Sequence, residues 1–110
     1  MGIEVRDNPG ESRYEILVDG VVAGFTTYKL QSDRIALIHT EVGDEYSGQG
    51  LATRLVTDEL DDLRRRGLDV LPFCPLVRQF IADHPTYVDL VPAGDRERFS
   101  LPPAEPREQG

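Results

Sequence analysis

Two glycines, Gly48 and Gly50, stand one residue apart immediately before an apolar segment with helical spacing. Glycine loses more backbone freedom on ordering than any other residue, so a pair at this position indicates a requirement for bare backbone. The first turn of a helix exposes about four unpaired N–H groups and about half a positive charge. Because glycines let an anion approach these amides, the pattern predicts a phosphate-binding loop.

Two common phosphate-binding motifs do not fit this loop. The nucleotide P-loop ends in a lysine followed by serine or threonine, and the only lysine of the chain, Lys29, lies elsewhere. The dinucleotide fingerprint G-x-G-x-x-G has Thr53 at its third glycine position. The 110 residues are also too few for the six-stranded sheet of that fold.

Strand-forming segments precede the loop. Residues 14–18, 21–28 and 34–42 are rich in β-branched and aromatic residues, and Asp19-Gly20 between the first two is a hairpin signal. These three segments predict an antiparallel meander. Residues 1–10 are interpreted as a polar lead-in that ends in a turn.

A helix follows the loop and ends at Gly67, after three consecutive arginines that suit the negative end of its dipole. Its charged residues, Glu59 included, are predicted to lie away from the apolar face. The apolar positions are Leu51, Ala52, Leu55, Val56, Leu60 and Leu63.

The remaining elements complete an α/β fold. Residues 68–74 form a short apolar strand, Pro75 opens a second helix, and the pattern allows a last strand over 87–91. A strand–helix–strand connection is right-handed and produces a parallel pair. We therefore predict a mixed sheet, an antiparallel meander plus a parallel strand pair, with two main helices.

The end of the chain differs in composition from the rest. Residues 92–110 contain four prolines, many charges and few apolar residues. This composition predicts a mostly disordered tail after a single domain over residues 1–91.

Composition and charge exclude several classes of protein. The net charge of −8 argues against a nucleic-acid-binding surface and leaves room for cationic substrates such as amines. One cysteine and two distant histidines, His39 and His84, do not favour a metal site. No apolar run approaches the roughly 20 residues of a membrane helix, and the N-terminus lacks a secretory signal pattern. We expect a cytoplasmic protein, and no sequence feature specifies its oligomeric state.

The segment "SGQGLA" (residues 47–52) resembles the acyl-CoA pyrophosphate loop, Q/R-x-x-G-x-G/A, of the GNAT superfamily of N-acetyltransferases. The chain is similar to the small single-domain branch of that superfamily. Four blocks over residues 11–91 carry the resemblance: "HTEV", "GQGLATRLV", "RGLDVLPFCPLV" and "IADHPTYVDLV". Ser47 departs from the motif's glutamine or arginine, which removes a side-chain contact to phosphate but leaves the backbone cradle.

The resemblance implies acetyl-CoA as cosubstrate and an amine as acetyl acceptor. In the GNAT fold the strand before the loop and the strand after the helix splay apart, and the pantetheine arm lies in the gap. The residues expected to contact acetyl-CoA are Thr40, Val42, Ser47, Gly48, Gln49, Gly50, Leu51, Ala52, Thr53, Arg54 and Arg78.

Four side chains are candidates for the chemistry. His39 is of the type that acts as a base near neutral pH, and Glu41 alternates onto its face of the strand. Cys74 precedes the second helix and either lines the thioester or accepts the acetyl group covalently. Tyr87 resembles the GNAT tyrosine that protonates the departing thiolate. His39, Glu41 and Cys74 also fit structural roles, as an edge histidine, a solvated carboxylate and a buried thiol. The placement of Tyr87 relative to the helix differs from that of the GNAT tyrosine.

We favour direct attack of a primary amine on acetyl-CoA. A non-catalytic acyl-CoA-binding module is the main alternative, because Ser47 departs from the motif and no base is obvious. A small interaction domain in which the glycines only form a turn is a further alternative.

Overall fold

The structure, a computed structural model that describes residues 2–102, contains one five-stranded mixed sheet. The strands lie in the order of the chain, β1 to β5. The first four are antiparallel, and β5 is parallel to β4. They are β1 Ile3–Asn8, β2 Arg13–Val18, β3 Val21–Gln31, β4 Arg34–Val42 and β5 Asp69–Pro72. Two α-helices follow β4 and β5, α1 Leu51–Arg66 and α2 Pro75–Asp83.

The predicted mixed α/β fold is confirmed, with two corrections to its elements. Residues 3–8, interpreted as a polar lead-in, form β1, which pairs with β2 from Ile3↔Val18 to Asn8↔Arg13. Its alternation of apolar and polar residues is that of a half-buried strand. The last strand proposed over 87–91 is wrong, because Pro85–Leu90 is a 3-10 helix. Pro85 fits the first turn of a helix, where its missing N–H is not needed.

The prediction of a mostly disordered tail is wrong for residues 92–102, the part of the tail that the structure describes. Ala93–Asp95 forms a short 3-10 helix. The side chain of Phe99 is buried and packs edge-on against Phe73, with ring centroids 5.2 Å apart. Residues 103–110 of the predicted tail lie outside the described residues.

Helix α1 covers the sheet with one face and ends as predicted. Gly67 adopts a left-handed conformation with φ 71°, and its N–H caps the last carbonyls of the helix. Arg64 makes two hydrogen bonds to Asp89, which tie α1 to the 3-10 helix. The buried residues of α1 are Leu51, Leu55, Val56, Glu59, Leu60 and Leu63.

The position of Glu59 contradicts the prediction that it lies away from the apolar face. Its side chain has no exposed surface, and neither carboxyl oxygen has a hydrogen-bond partner among residues 2–102. Burial raises the pKa of Glu59 to about 8, although the neighbouring Thr26 hydroxyl lowers it. At neutral pH the carboxyl is therefore mostly protonated in the folded protein.

This burial makes stability depend on pH. Glu59 ionises near its ordinary pKa of 4.5 when unfolded and near 8 when folded. The unfolded chain therefore gives up the proton first, and the free energy of unfolding should fall as the pH rises through this window. The expected slope is up to about 1.4 kcal/mol per pH unit. We expect Glu59→Gln to remove this fall and to be more stable than the wild type at pH 8, measured by urea unfolding at a series of pH values.

The control is Glu4→Gln, which changes an exposed carboxyl of β1. It should shift the stability curve little. Parallel curves for wild type and Glu59→Gln between pH 4.5 and 8 would contradict the account of Glu59.

Candidate functional site

The glycine loop leads into α1 through two residues in left-handed conformations. Gly48 has φ 80° and Gly50 has φ 73°. L-residues rarely adopt this region, because their Cβ approaches the following carbonyl oxygen. A Cβ built at either glycine meets no atom within 4 Å, so the space in front of the loop is open. The predicted requirement for bare backbone thus has a conformational basis in this structure.

The N-terminus of α1 has no cap of its own. No side chain of the cap residue Gly50 bonds to the first turn, and no acidic residue lies in that turn. The chain carries 20 Asp and Glu residues, but the first turn of α1 contains none that would offset the positive end of the dipole. The first amides of α1 are therefore available to an anion from outside the chain.

A cleft of about 230 Å³ lies in front of this helix terminus. None of its lining residues carries a charge. They are Val42, Gly43, Tyr46, Ser47, Gly48, Gly50, Leu51, Ala52 and Thr53. A larger cleft of about 500 Å³ lies between β1 and the middle of α1. Its charged lining consists of four carboxylates and two arginines, Asp7, Asp58, Asp61, Asp62, Arg6 and Arg65, and so has an excess of negative charge. Of the two, the smaller cleft is the one suited to an anionic ligand.

Strands β4 and β5 pair over a short distance only. Their register runs from Arg34↔Asp69 to Leu37↔Pro72, and the Cys74 N–H donates to the Leu37 carbonyl at 2.8 Å just beyond it. The chain then turns away into α2, so the second half of β4 has no paired strand on this side among residues 2–102.

The open edge of β4 presents backbone groups to this gap. The Gly43 N–H donates to the Ala23 carbonyl on β3 at 2.9 Å. Because N–H directions alternate along a strand, the backbone groups of Thr40 and Val42 point the other way, toward the gap. These are the residues for which the sequence predicted contacts with the pantetheine arm.

A β-bulge decides which side chains of β4 face α1. Thr27 pairs with His39 and Tyr28 pairs with Leu37, so Ile38 is the extra residue. An extra residue exchanges the two faces of the strand beyond it. Without it, His39 would follow the buried Leu37 toward α1.

Thr40 instead faces α1, where its hydroxyl lies between the hydroxyl of Thr26 and the thiol of Cys74. Its Oγ1 lies 3.0 Å from Thr26 Oγ1, and either hydroxyl can donate. The thiol of Cys74 donates to Thr40 Oγ1 at 3.3 Å, and the Cys74 side chain is almost fully buried. Cys74 therefore lies at the start of the gap, as expected from its place in the sequence.

His39 and Glu41 share the opposite face, as predicted. Their nearest side-chain atoms, Nε2 and Oε1, are 3.5 Å apart, and both side chains are more than half exposed. The structure thus brings His39 to Glu41 but does not join it to Cys74, whose hydrogen bond is to Thr40 on the α1 face.

Tyr87 lies away from the glycine loop. Its hydroxyl donates to Asp61 Oδ1 at 2.9 Å. Asp61 follows Leu51, the first residue of α1, by ten residues, so it lies about 15 Å along the helix from the glycine loop. Burial is the largest cause that raises the Tyr87 pKa, and the hydrogen bond to Asp61 adds to it. This position separates Tyr87 from the gap in which the resemblance placed its role.

The two arginines expected to contact phosphate have partners within the chain. Arg54 forms an ion pair with Asp58 one turn along α1, at 2.8 Å. Arg78 donates to the carbonyls of Pro72 and Phe73 at 3.3 and 3.0 Å, which holds the end of β5. Gln49 and Ser47 are exposed in the loop.

Sequence reasoning missed Thr26 and Glu59. Thr26 is a β-branched residue within a strand, and no pattern sets it apart from Thr27. Glu59 follows Leu55 by four residues and precedes Leu63 by four, so helical spacing could have placed it on the buried face.

Two further features bear on the kind of site. Among residues 2–102, no group of three or more His, Cys, Asp or Glu side chains is arranged to hold a metal ion. Neither helix of the described chain combines the length and apolar character needed to cross a membrane.

Comparisons with known proteins show the family and the fold of the chain. The family model described as GCN5-related N-acetyl-transferase matches residues 13–90. The fold is similar to the NMR solution structure of a GCN5-like candidate N-acetyltransferase from Staphylococcus aureus, with a TM-score of 0.61 and 22% sequence identity. That similarity covers 81% of this chain and 87% of the other and concerns the fold alone. No curated protein gives a significant match. From the family match, the chain belongs to the GCN5-related N-acetyltransferases.

Proposed function

We propose that this protein transfers an acetyl group from acetyl-CoA to a primary amine by direct attack. The observation that carries the proposal is the uncapped N-terminus of α1, which faces an uncharged cleft in a chain of net charge −8. Backbone dipoles can hold a phosphate there without basic side chains. A cytoplasmic location, where acetyl-CoA is available, is part of the proposal.

The acetyl donor would lie along the loop and the open edge of β4. Its pyrophosphate would accept hydrogen bonds from the amides of residues 48–53. The pantetheine amides would pair with the backbone of Thr40 and Val42, as an added strand does. This arrangement brings the thioester toward Cys74, at the point where β4 and β5 separate.

The acceptor would approach through a second cleft, which shares Val42 and Gly43 with the cleft in front of the glycine loop. The second cleft, of about 440 Å³, is lined by three carboxylates, Glu41, Asp44 and Glu45, and by one arginine, Arg13, which is paired with Glu15. The charge of the three carboxylates favours a cationic amine such as a polyamine or a lysine side chain.

The reaction needs the amine neutral and the leaving group protonated. The amine nitrogen attacks the thioester carbon, the C–S bond breaks and an amide bond forms. His39 and Glu41 would take the proton that the nitrogen releases and pass it to solvent, since both are exposed. The CoA thiolate must receive a proton from another group.

A non-catalytic acyl-CoA-binding module remains the second candidate. It is favoured by Ser47, which lacks the side chain of the motif, and by the distance of Tyr87 from the gap. Incubation with acetyl-CoA and a panel of polyamines and lysine peptides separates the two. Release of CoA with formation of an acetylated amine supports the enzyme, whereas binding without release supports the module.

The loop can be tested with two glycines of the same helix. Gly50 and Gly67 flank α1 at opposite ends, both have positive φ and both have open space at Cβ. Alanine at either site should cost about 1 kcal/mol of stability, because both adopt the left-handed region. Only at Gly50 would the methyl group lie over the amides of the first turn. We expect Gly50→Ala to weaken CoA binding at least tenfold, about 1.4 kcal/mol, by isothermal titration calorimetry.

Gly67→Ala is the matched control and should bind CoA as the wild type does. Equal affinities for wild type and Gly50→Ala would remove the loop as the binding site. Equal losses in the two variants would show that backbone strain, rather than obstruction of the cradle, weakens binding.

Cys74 distinguishes direct transfer from a covalent route. A nucleophilic thiolate needs a cation or a base beside it, whereas the hydrogen bond of Cys74 is to the neutral Thr40 hydroxyl. We expect Cys74→Ala to lower turnover by about 100-fold, the lower end of the range for a lost proton donor, and not to abolish it. Intact-mass analysis of the wild type with acetyl-CoA should show no added acetyl group. A stable acetyl adduct that disappears in Cys74→Ala would establish the covalent route.

A further inference from the structure

We propose that Glu59, Thr26 and Thr40 form a buried proton path that ends at Cys74 Sγ and supplies the proton for the departing CoA thiolate. Glu59 is then a positioning residue that acts through the two hydroxyls and the thiol, without touching the substrate. The inference rests on the proposed acetyl transfer and extends it to the α1 side of the sheet.

The geometry of the path begins with the two threonines. Thr26 on β3 and Thr40 on β4 are direct partners in the sheet register, with their hydroxyl oxygens 3.0 Å apart. Cys74 Sγ lies 3.3 Å from Thr40 Oγ1. Three polar groups thus lie in sequence between α1 and the gap, and every hydroxyl among them can both donate and accept.

Glu59 stands at the inner end of this sequence. It is fully buried on the face of α1 that packs on the sheet. The Thr26 hydroxyl lies close enough to lower the Glu59 pKa by hydrogen bonding, although neither carboxyl oxygen makes a hydrogen bond of ordinary geometry among residues 2–102. A buried polar group without a partner costs stability. An apolar residue of similar size would fill the same space without this cost. Packing therefore gives no reason for a carboxyl at this position, whereas proton transfer does.

The resting protonation state makes Glu59 a donor. Burial raises its pKa to about 8, with Thr26 lowering it, so at neutral pH the carboxyl holds its proton. An ordinary thiol has a pKa of about 8.5, and matched values favour proton transfer. The charged neighbours on α1 have other partners, since Asp58 bonds to Arg54 and Asp62 accepts from Tyr14.

The proposed step moves one proton at each position. The Cys74 S–H donates to Thr40 at rest, and in the step it turns toward the CoA sulfur while the Thr40 hydroxyl turns toward Cys74. When the thioester C–S bond breaks, the electron pair stays on the CoA sulfur, which takes the proton of the Cys74 thiol. Cys74 Sγ takes the Thr40 proton, Thr40 takes the Thr26 proton, and Thr26 takes the Glu59 proton. The resulting carboxylate is unstable in its apolar surroundings. It recovers a proton from solvent through the same groups in reverse, once CoA has left the gap.

Three isosteric variants interrupt the path at different points. Glu59→Gln removes the exchangeable acid, and Thr26→Val and Thr40→Val each remove one hydroxyl. Thr57→Val is the matched control. Its hydroxyl bonds to the Thr53 carbonyl on the outer side of α1, two residues from Glu59. Thermal unfolding and CoA affinity of each variant confirm that it is folded.

Steady-state acetyl transfer with the best amine of the panel then tests the path. We expect kcat to fall about tenfold or more in the three path variants, with KM for acetyl-CoA within about twofold of the wild type. Thr57→Val should match the wild type. In the wild type kcat should fall as the pH rises through about 8, the pKa of Glu59, and this limb should be absent in Glu59→Gln. The double variant Glu59→Gln, Thr26→Val should be no slower than either single variant, because both remove the same path.

Three outcomes overturn the proposal. An active wild type with kcat unchanged in folded Glu59→Gln removes the path and leaves the proposed acetyl transfer intact. In the second outcome, the reductions of kcat in the two single variants multiply in the double variant, and kcat of Glu59→Gln still falls as the pH rises through about 8. Both results would show separate structural effects of the two substitutions and would also remove the path. A wild type that binds CoA but acetylates no amine overturns both the path and the proposed function.

Discussion

The left-handed backbone of Gly48 and Gly50 determines how the chain passes from β4 into α1. Any other pair of residues would resist this turn, since φ near +75° brings Cβ against the backbone. The turn leaves the first amides of α1 uncapped and directed at a cleft without charged side chains. In a chain of net charge −8, this is the place at which we propose that the anionic cosubstrate binds.

The bulge at Ile38 organises the other half of the site. By exchanging the faces of β4, it sends His39 and Glu41 to the exposed side and Thr40 to the side of α1. The two sides then differ in chemistry. The exposed face offers carboxylates and an imidazole for an amine, and the α1 face offers hydroxyls, a thiol and a protonated carboxyl. The acetyl group would be transferred where these two environments meet, at the end of the β4–β5 pairing.

Local patterns in the sequence predicted the parts that local forces decide. The paired glycines, the Asp19-Gly20 hairpin and the Gly67 helix end all depend on backbone preferences of single residues, and the structure has them as expected. The family resemblance and the mixed α/β fold were also correct.

The errors concern contacts between residues distant in the chain. β1 is stable because β2 pairs with it, and Phe99 is buried because Phe73 lies beside it. The residues next to β1 and next to Phe99 in the sequence do not indicate that β2 and Phe73 are their partners. The charge of Glu59 predicts an exposed position, although its spacing along α1 matches the buried face. The bulge at Ile38 has no signature in residue type.

Backbone amide shifts in a ¹⁵N–¹H NMR titration with CoA test the central claim, that an anion binds the uncapped start of α1. The account predicts the largest shifts at residues 48–53, with smaller ones at Thr40 and Val42 on the open edge of β4. Shifts centred on the acidic cleft around Asp58, Asp61 and Asp62, or no shifts at saturating CoA, would contradict it.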